Sequence, residues 1–382
     1  MPWREASPLD IKREVVLRAL EPDANKSELA REHGISRKTL YKWLNRFRDG
    51  GLAGLEERSR CPHERRVACG GEMVLQLLEL RQRHPTWGPK KLRAVALRTA
   101  SPEEVPSVRT IARILKRAGM VRGRRRSSGL VTTDRSAAPQ PVVKEPNDLW
   151  TLDFKGWWTT GDGTRCEPLT VRDAASRYLL ALDGFARPRQ PDVRRVCERL
   201  FQLHGLPRAI LVDNGSPFAC TRARGGLSQL SAWWVALGIT FHRSRPAHPQ
   251  DNGGHERMHS DLAKEIEANP AATLVEEQAA LDEWRKTFNE VRPHESLGMR
   301  CPAEVYRSSP RRYHGPRRMV YPDHFQTRQV SANGCCHFEG HQLRVSKALA
   351  GFKVGLLREA NRIHIRFYDL NLGAIELPEQ AA

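Results

Sequence analysis

The stretch Ile210-Leu211-Val212-Asp213-Asn214-Gly215 decides the fold. Three consecutive apolar residues make a short strand with no polar face, as expected at the buried centre of a sheet covered on both sides. The run stops at a carboxylate followed by an Asn-Gly turn signal. Proteins of the α/β class gather their ligands at the carboxyl ends of such strands. Asp213 is therefore a candidate site residue.

The neighbouring segments extend this sheet. Upstream, Leu149-Trp150-Thr151-Leu152-Asp153-Phe154 alternates, with Trp150, Leu152 and Phe154 on one face and Thr151 and Asp153 on the other. Gly161-Asp162-Gly163 is a hairpin turn, and Glu167 to Ala175 and Tyr178 to Phe185 read as two more strands. Pro191 to His204 is a helix with Val193, Val196, Leu200 and Leu203 inward. Downstream come a helix over Leu230 to Leu237, an edge strand over Ile239 to His242, and a Pro/Asn/Gly loop. That loop opens a helix from about Gly254 to Glu267, with Glu256 in its first turn. The order predicts a mixed α/β sheet. A carboxylate at a first turn can be presented to a cation, but it also suits the helix dipole, and Asp-Asn-Gly is a common turn. On residues alone both readings stay open. Asp162 reads as a turn residue, and Asp173 and Asp183 as structural or supporting carboxylates.

The chain before the sheet is helical. Leu9 to Leu20 carries an apolar stripe. Ser27 is expected to cap Glu28 to His33, Gly34 makes a sharp turn plugged by Ile35, and Ser36 caps a second helix over Arg37 to Arg48. Leu40, Trp43, Leu44 and Phe47 share its inner face, while Arg37, Lys38, Tyr41 and Lys42 point elsewhere. Short helix, glycine turn and capped helix form the helix-turn-helix pattern, whose second helix enters the major groove. Ser36, Arg37, Lys38, Tyr41 and Lys42 are thus candidate DNA contacts, and residues 1–60 a DNA-binding domain. Residues 70–122 repeat the theme with helices over Glu72 to His84, Lys90 to Arg98 and Ser107 to Lys116, a second helix-turn-helix-like unit or else a packing bundle. Residues 123–146 form a Ser/Pro-bearing basic linker in which Arg124, Arg125 and Arg126 are placed to track phosphates.

Beyond the sheet, Leu274 to Val291 is an amphipathic helix with Leu281, Trp284 and Phe288 inward. Short alternating runs from Met319 onward predict a small antiparallel β-barrel over 319–378. The expected architecture is multidomain: an all-α region, an α/β core over 147–310 and an all-β carboxyl-terminal domain.

Charge agrees with this division. The 382 residues carry 63 Lys and Arg against 44 Asp and Glu, a formal charge of +19. Residues 1–145 hold 31 basic against 17 acidic residues, so most of the excess sits in the helical region, as polyphosphate binding requires. No stretch approaches the roughly 18 apolar residues of a membrane span, and the first residues lack an apolar signal core. Eight cysteines at irregular spacings fit free thiols in a reducing cytoplasm, with the protein on DNA. Cys61, His63, Cys69 and His84, or Cys335, Cys336, His337 and His341, do not have zinc-finger spacing.

Three segments make the core recognisable: Leu149 to Lys155, Val212-Asp213-Asn214-Gly215-Ser216-Pro217-Phe218, and His248-Pro249-Gln250-Asp251-Asn252-Gly253-Gly254-His255-Glu256-Arg257-Met258-His259. In this order they resemble the DDE transposases and retroviral-type integrases, and specifically the IS481 group of insertion-sequence transposases. The resemblance covers roughly residues 9–310. It implies an RNase H-like core whose triad is Asp153, Asp213 and Glu256, both catalytic and metal-ligating. It implies Mg²⁺ or Mn²⁺, in two ions, because hard carboxylates and phosphate oxygens suit those cations and paired ions serve in-line phosphodiester chemistry. It further implies double-stranded DNA, as element ends and target, for the partner and a homo-oligomer on that DNA. His259 and Lys264, on the stripe of Glu256, are further candidate DNA contacts. Two departures stand out: 42 residues separate Asp213 from Glu256, more than in the retroviral type, and Val212 stands where Ser is frequent. The implied activity is cleavage and strand transfer at terminal inverted repeats. The alternative class is a helix-turn-helix regulator with an inert core.

Overall fold

The computed structural model describes residues 7–57, 69–121, 142–213, 215, 217–218, 223–244 and 253–377. It divides into two compact units, residues 1–67 and 68–382, each taken by itself below.

The first unit holds helices α1 (Pro8–Ala19), α2 (Lys26–Glu32) and α3 (Arg37–Gly50). Val15, Val16, Leu29, Ala30, Leu40 and Leu44 form its core, with Ile35, Trp43 and Phe47 packed on the margin. Gly34 takes φ +63°, the left-handed backbone that lets α2 turn into α3. The Ser36 hydroxyl accepts from the Thr39 amide as the α3 cap. The α2 cap is Asn25, not Ser27: its side chain accepts from the amides of Ser27 and Glu28. Asn25 sits two residues earlier and reaches both orphan donors at once.

The second unit begins with α4 (Gly71–Arg83), α5 (Pro89–Ala96) and α6 (Val108–Arg117), closed over Leu77, Trp87, Leu92, Ile111 and Leu115. This trihelical piece docks on the core domain. The Thr86 hydroxyl donates to Glu265, Lys90 pairs with Glu295 at 2.8 Å, and Arg98 reaches the Val291 carbonyl at 3.0 Å.

The core sheet contains β1 (Leu149–Phe154), β2 (Trp158–Thr159), β3 (Arg165–Asp173), β4 (Leu179–Phe185), β5 (Ala209–Val212) and β6 (Thr240–Arg243). β3 pairs antiparallel with β1, β2 and β4, whereas β1, β5 and β6 run parallel. The apolar β5 is interior and β6 lies at the edge, as their sequences predict. Helices α7 (Gln190–His204) and α8 (Gln229–Ala236) cover one face through Val193, Val196, Leu200, Phe201, Trp233 and Trp234. Leu203 is a correction: it is 66% exposed, because Cys197 and Phe201 complete the α7 stripe and leave it outside. Helices α9 (Gly253–Leu262) and α10 (Leu274–Glu290) supply Met258, Leu262, Leu281, Trp284 and Phe288 to a separate apolar cluster with Leu179 and Leu182. A five-residue π-turn, Ala263–Glu267, follows α9.

After a short α11 (Pro302–Val305), β7 (Gln326–Gln329), β8 (Cys335–Phe338), β9 (His341–Arg344), β10 (Lys353–Glu359), β11 (Arg362–Phe367) and β12 (Leu370–Glu376) end the chain. They form a four-stranded antiparallel sheet, β12-β11-β10-β7, and a two-stranded ribbon, β8-β9. Two hydrogen-bonded pieces, rather than one closed barrel, enclose the core. Their apolar side chains share that core with Ala232, Val235 and Ala236 of α8.

Candidate active site

Asp153 and Asp213 come together through strand register. β1 and β5 pair in parallel up to Thr151 opposite Leu211, and two residues further along each chain stand Asp153 and Asp213. Side chains alternate with period two, so both project on the Thr151 side of the sheet. Asp153 is half-buried, and Asp213 is exposed just past the end of β5, its Oδ1 accepting from the Gly215 amide at 3.1 Å.

Two matched hydrogen-bond rungs hold α9 over that same face. Thr151 lies opposite Arg172 and Thr170 opposite Asp153 on β1 and β3. The Thr170 hydroxyl donates to the Asp153 carbonyl at 2.9 Å and lies 2.9 Å from Nε2 of His259. The Thr151 hydroxyl donates to the Arg172 carbonyl at 3.4 Å and lies 3.3 Å from Nε2 of His255. A hydroxyl has one proton, and each is given to a carbonyl that can only accept. With each hydroxyl proton on the carbonyl, a hydrogen on the imidazole Nε2 completes the rung. His255 and His259, one turn apart, stack at 5.4 Å. Burial, then the charges of Arg172 and His259, holds the His255 imidazolium well below the usual range; burial, then Lys155 and Arg172, brings His259 down to about 4. Both rings are therefore neutral at pH 7.

This clamp presents Glu256. With its neighbours on α9 turned to the sheet, Glu256 is exposed in the first turn. Among the described residues, no three His, Cys, Asp or Glu side chains stand close enough to hold an ion as they are. The register aligns the two aspartates along neighbouring chains, and Glu256 is exposed on the helix that meets the aspartate-bearing face; among the described residues they do not close a ligand cluster. The donor set itself, three hard oxygen ligands on three elements with two of them exposed, fits a divalent cation.

The other carboxylates have structural work. Asp162 accepts from Thr160 and Thr164 within its turn. Asp173 is buried and accepts from the Asn147 and Ser176 amides, and Asp183 pairs with Arg199. Of the expected DNA contacts, Ser36, Arg37, Lys38, Tyr41 and Lys42 are exposed on α3, as is Lys264 beyond α9. His259 is a correction. It faces the sheet and is held by Thr170, because its stripe is the docking stripe of α9. Arg124, Arg125 and Arg126 lie outside the described residues. Sequence reading missed the roles of Thr151, Thr170 and His255. Thr151 was visibly on the Asp153 face and the two histidines were four apart, but which helix meets which strand is tertiary information.

Two integrase core domain models match residues 143–249 and 237–302, a helix-turn-helix domain model matches 11–63, and a homeodomain-like model matches 39–115. A protein of insertion element IS407 from Burkholderia multivorans is 26% identical over 233 residues, 61% of this chain and 79% of its own length. The InsD transposase of insertion element IS2 from Escherichia coli is 25% identical over 234 residues, 58% of this chain and 74% of its own. Among solved structures, a chain of the simian T-cell lymphotropic virus intasome in complex with a PP2A regulatory subunit aligns with TM-score 0.38 and 17% identity, over 79% of this chain and 96% of that one. An integrase core domain preceded by helix-turn-helix domains, with sequence similarity to insertion-element transposases, makes this chain a DNA-binding transposase with an integrase core.

Proposed function

We propose that this transposase is of the IS481 type and acts through Asp153, Asp213 and Glu256, binding the terminal inverted repeats of its element and cleaving and joining strands there. The observation that supports the reading is the β1–β5 register, from whose last pair, Thr151 and Leu211, Asp153 and Asp213 each stand two residues further on. The three carboxylates would hold Mg²⁺ or Mn²⁺, in two ions. Bound there, divalent cations lower the pKa of a water or 3′-hydroxyl and stabilise the leaving oxygen. The chain's own share is orientation: the Thr170 rung fixes the backbone of Asp153, and the paired histidines fix the helix that bears Glu256. Helix α3 reads the ends through Arg37, Lys38, Tyr41 and Lys42 around the Ser36 cap, and Lys264 meets DNA beside the site. The Arg124 to Arg126 run tracks backbone phosphates. Work at two ends calls for at least two copies of the chain, acting on DNA in the cytoplasm. No helix among the described residues is long and apolar enough to cross a membrane.

The test is strand joining by the full chain on DNA carrying its own element's ends, with Mg²⁺. Asp213→Asn keeps size and hydrogen bonding but removes the charge; joining should fall by at least 10³-fold while end binding persists. Full activity in that variant would overturn the assignment, and a wild-type chain that binds without joining would be a regulator.

A further inference from the structure

Behind α9, away from its Glu256 surface, lies a cavity of about 230 Å³ lined by cations. Lys91 of α5, Arg172 of β3, Arg177 of the β3–β4 turn, Arg257 of α9 and Arg292 after α10 converge on it, opposed by Asp261 and Glu295. Asp261 is already paired with Arg292, and Glu295 with Lys90 outside the cavity. Arg172 and Arg292 are only 5% and 4% exposed. The Nε of Arg172 and both Nε and Nη1 of Arg292 are buried without a hydrogen-bond partner, as is Nε2 of His294 on the same wall. Arg172 forms no ion pair with a described carboxylate, and its guanidinium rests against Gly254, where a Cβ would approach Nη2 to 2.1 Å.

Buried guanidinium N–H groups without acceptors, in a pocket whose two carboxylates are engaged, carry a large desolvation penalty. An oxyanion relieves it, because phosphate offers several acceptor oxygens to forked Arg donors. Burial, then Arg292, pulls Lys91 down to about 8, as expected where positive charge outweighs negative.

We propose that this cavity is a phosphate-binding site, filled by a backbone phosphate of duplex DNA held across the joint between the trihelical piece and the catalytic core. It rests on the DNA-joining reading above but is separate from the triad, so either can fail alone.

The test uses the full-length Asp213→Asn chain, in which joining is not measured, with and without Lys91→Gln and Arg177→Gln. Neither residue forms an ion pair with a described carboxylate, and both add to the cavity's positive excess, so removing these charges should not lower the melting temperature without ligand. Inorganic phosphate, compared with chloride at equal ionic strength, should stabilise the parent and lose that effect in the double variant. The slope of log K against log salt for duplex binding should shrink in magnitude by about 1 to 2, the loss of one or two phosphate contacts. Phosphate stabilisation with an unchanged DNA slope would assign the pocket to a free anion and overturn the DNA claim. A changed slope without phosphate stabilisation would place the lost contacts elsewhere, and no effect in either arm would overturn the site.

Discussion

The hydroxyl of Thr170 donates to the carbonyl of Asp153 and lies 2.9 Å from Nε2 of His259. One side chain thus joins the backbone of the first aspartate to the helix carrying the glutamate. The same construction recurs at Thr151, Arg172 and His255. The geometry of the candidate site rests on hydrogen bonds between the paired strands and α9.

Thr170→Val keeps the branched shape and removes the rung. It leaves the half-buried His259 hydrogen without an acceptor, a cost of about 1–3 kcal/mol. Urea unfolding should report that loss. Strand joining should fall about tenfold or more with DNA binding intact. An unchanged joining rate would show that the rung does not orient Asp153.

Replacing Arg37 and Lys42 with alanine should leave the first unit folded, since both are exposed on α3. Affinity for element ends should fall at least tenfold at physiological salt. Leu44→Ala, in the core of that unit, should instead cost about 2–5 kcal/mol of its stability. Equal affinity in the Arg37 and Lys42 variant would remove α3 from the reading surface.

Acid should loosen the wall of the cationic cavity. Burial, then Arg292, Lys91, Arg172 and Arg177, pushes His294 down to about 3. An unfolded chain binds a proton at this residue near pH 6.5, so between 6.5 and about 3 the unfolded state holds more protons than the folded one. The contribution of His294 is full above pH 6.5 and declines as pH falls through that window, by about 1.4 kcal/mol per unit. His294→Phe should flatten the acid limb of the stability profile, read by chemical denaturation at stepped pH.

Divalent cations should stabilise the wild-type chain through the aspartate pair. At ten times the dissociation constant the gain is about 1.4 kcal/mol. Melting curves against Mg²⁺ and Mn²⁺ should show it, and Asp153→Asn with Asp213→Asn should abolish it. A persistent shift in that variant would locate the ion elsewhere.

Much of this was legible in the residues. The alternation of Leu149 to Phe154 and the wholly apolar Ile210 to Val212 are read correctly because a strand's period and burial are local properties. Ser36 and Gly34 mark the helix-turn-helix for the same reason: a cap and a left-handed turn need specific residue types. The cationic cavity was not legible, because Lys91, Arg172 and Arg292 are far apart in the chain and meet only when the trihelical piece docks. Nor was the shared core of the carboxyl-terminal strands visible: Ala232 and Val235 look like ordinary helix interior until β-strands are packed on them.

The division at residue 67 has a genetic consequence. Each side owns a hydrophobic core, so a break in the gene there yields two kinds of remnant. On the proposed assignment, the short product would keep α3 and none of the three carboxylates, an inert competitor for the element's own ends. The long product would keep all three without α3, chemistry stripped of its address. Damage at a single point could thus turn a mobile element's enzyme into its own repressor or into an undirected one.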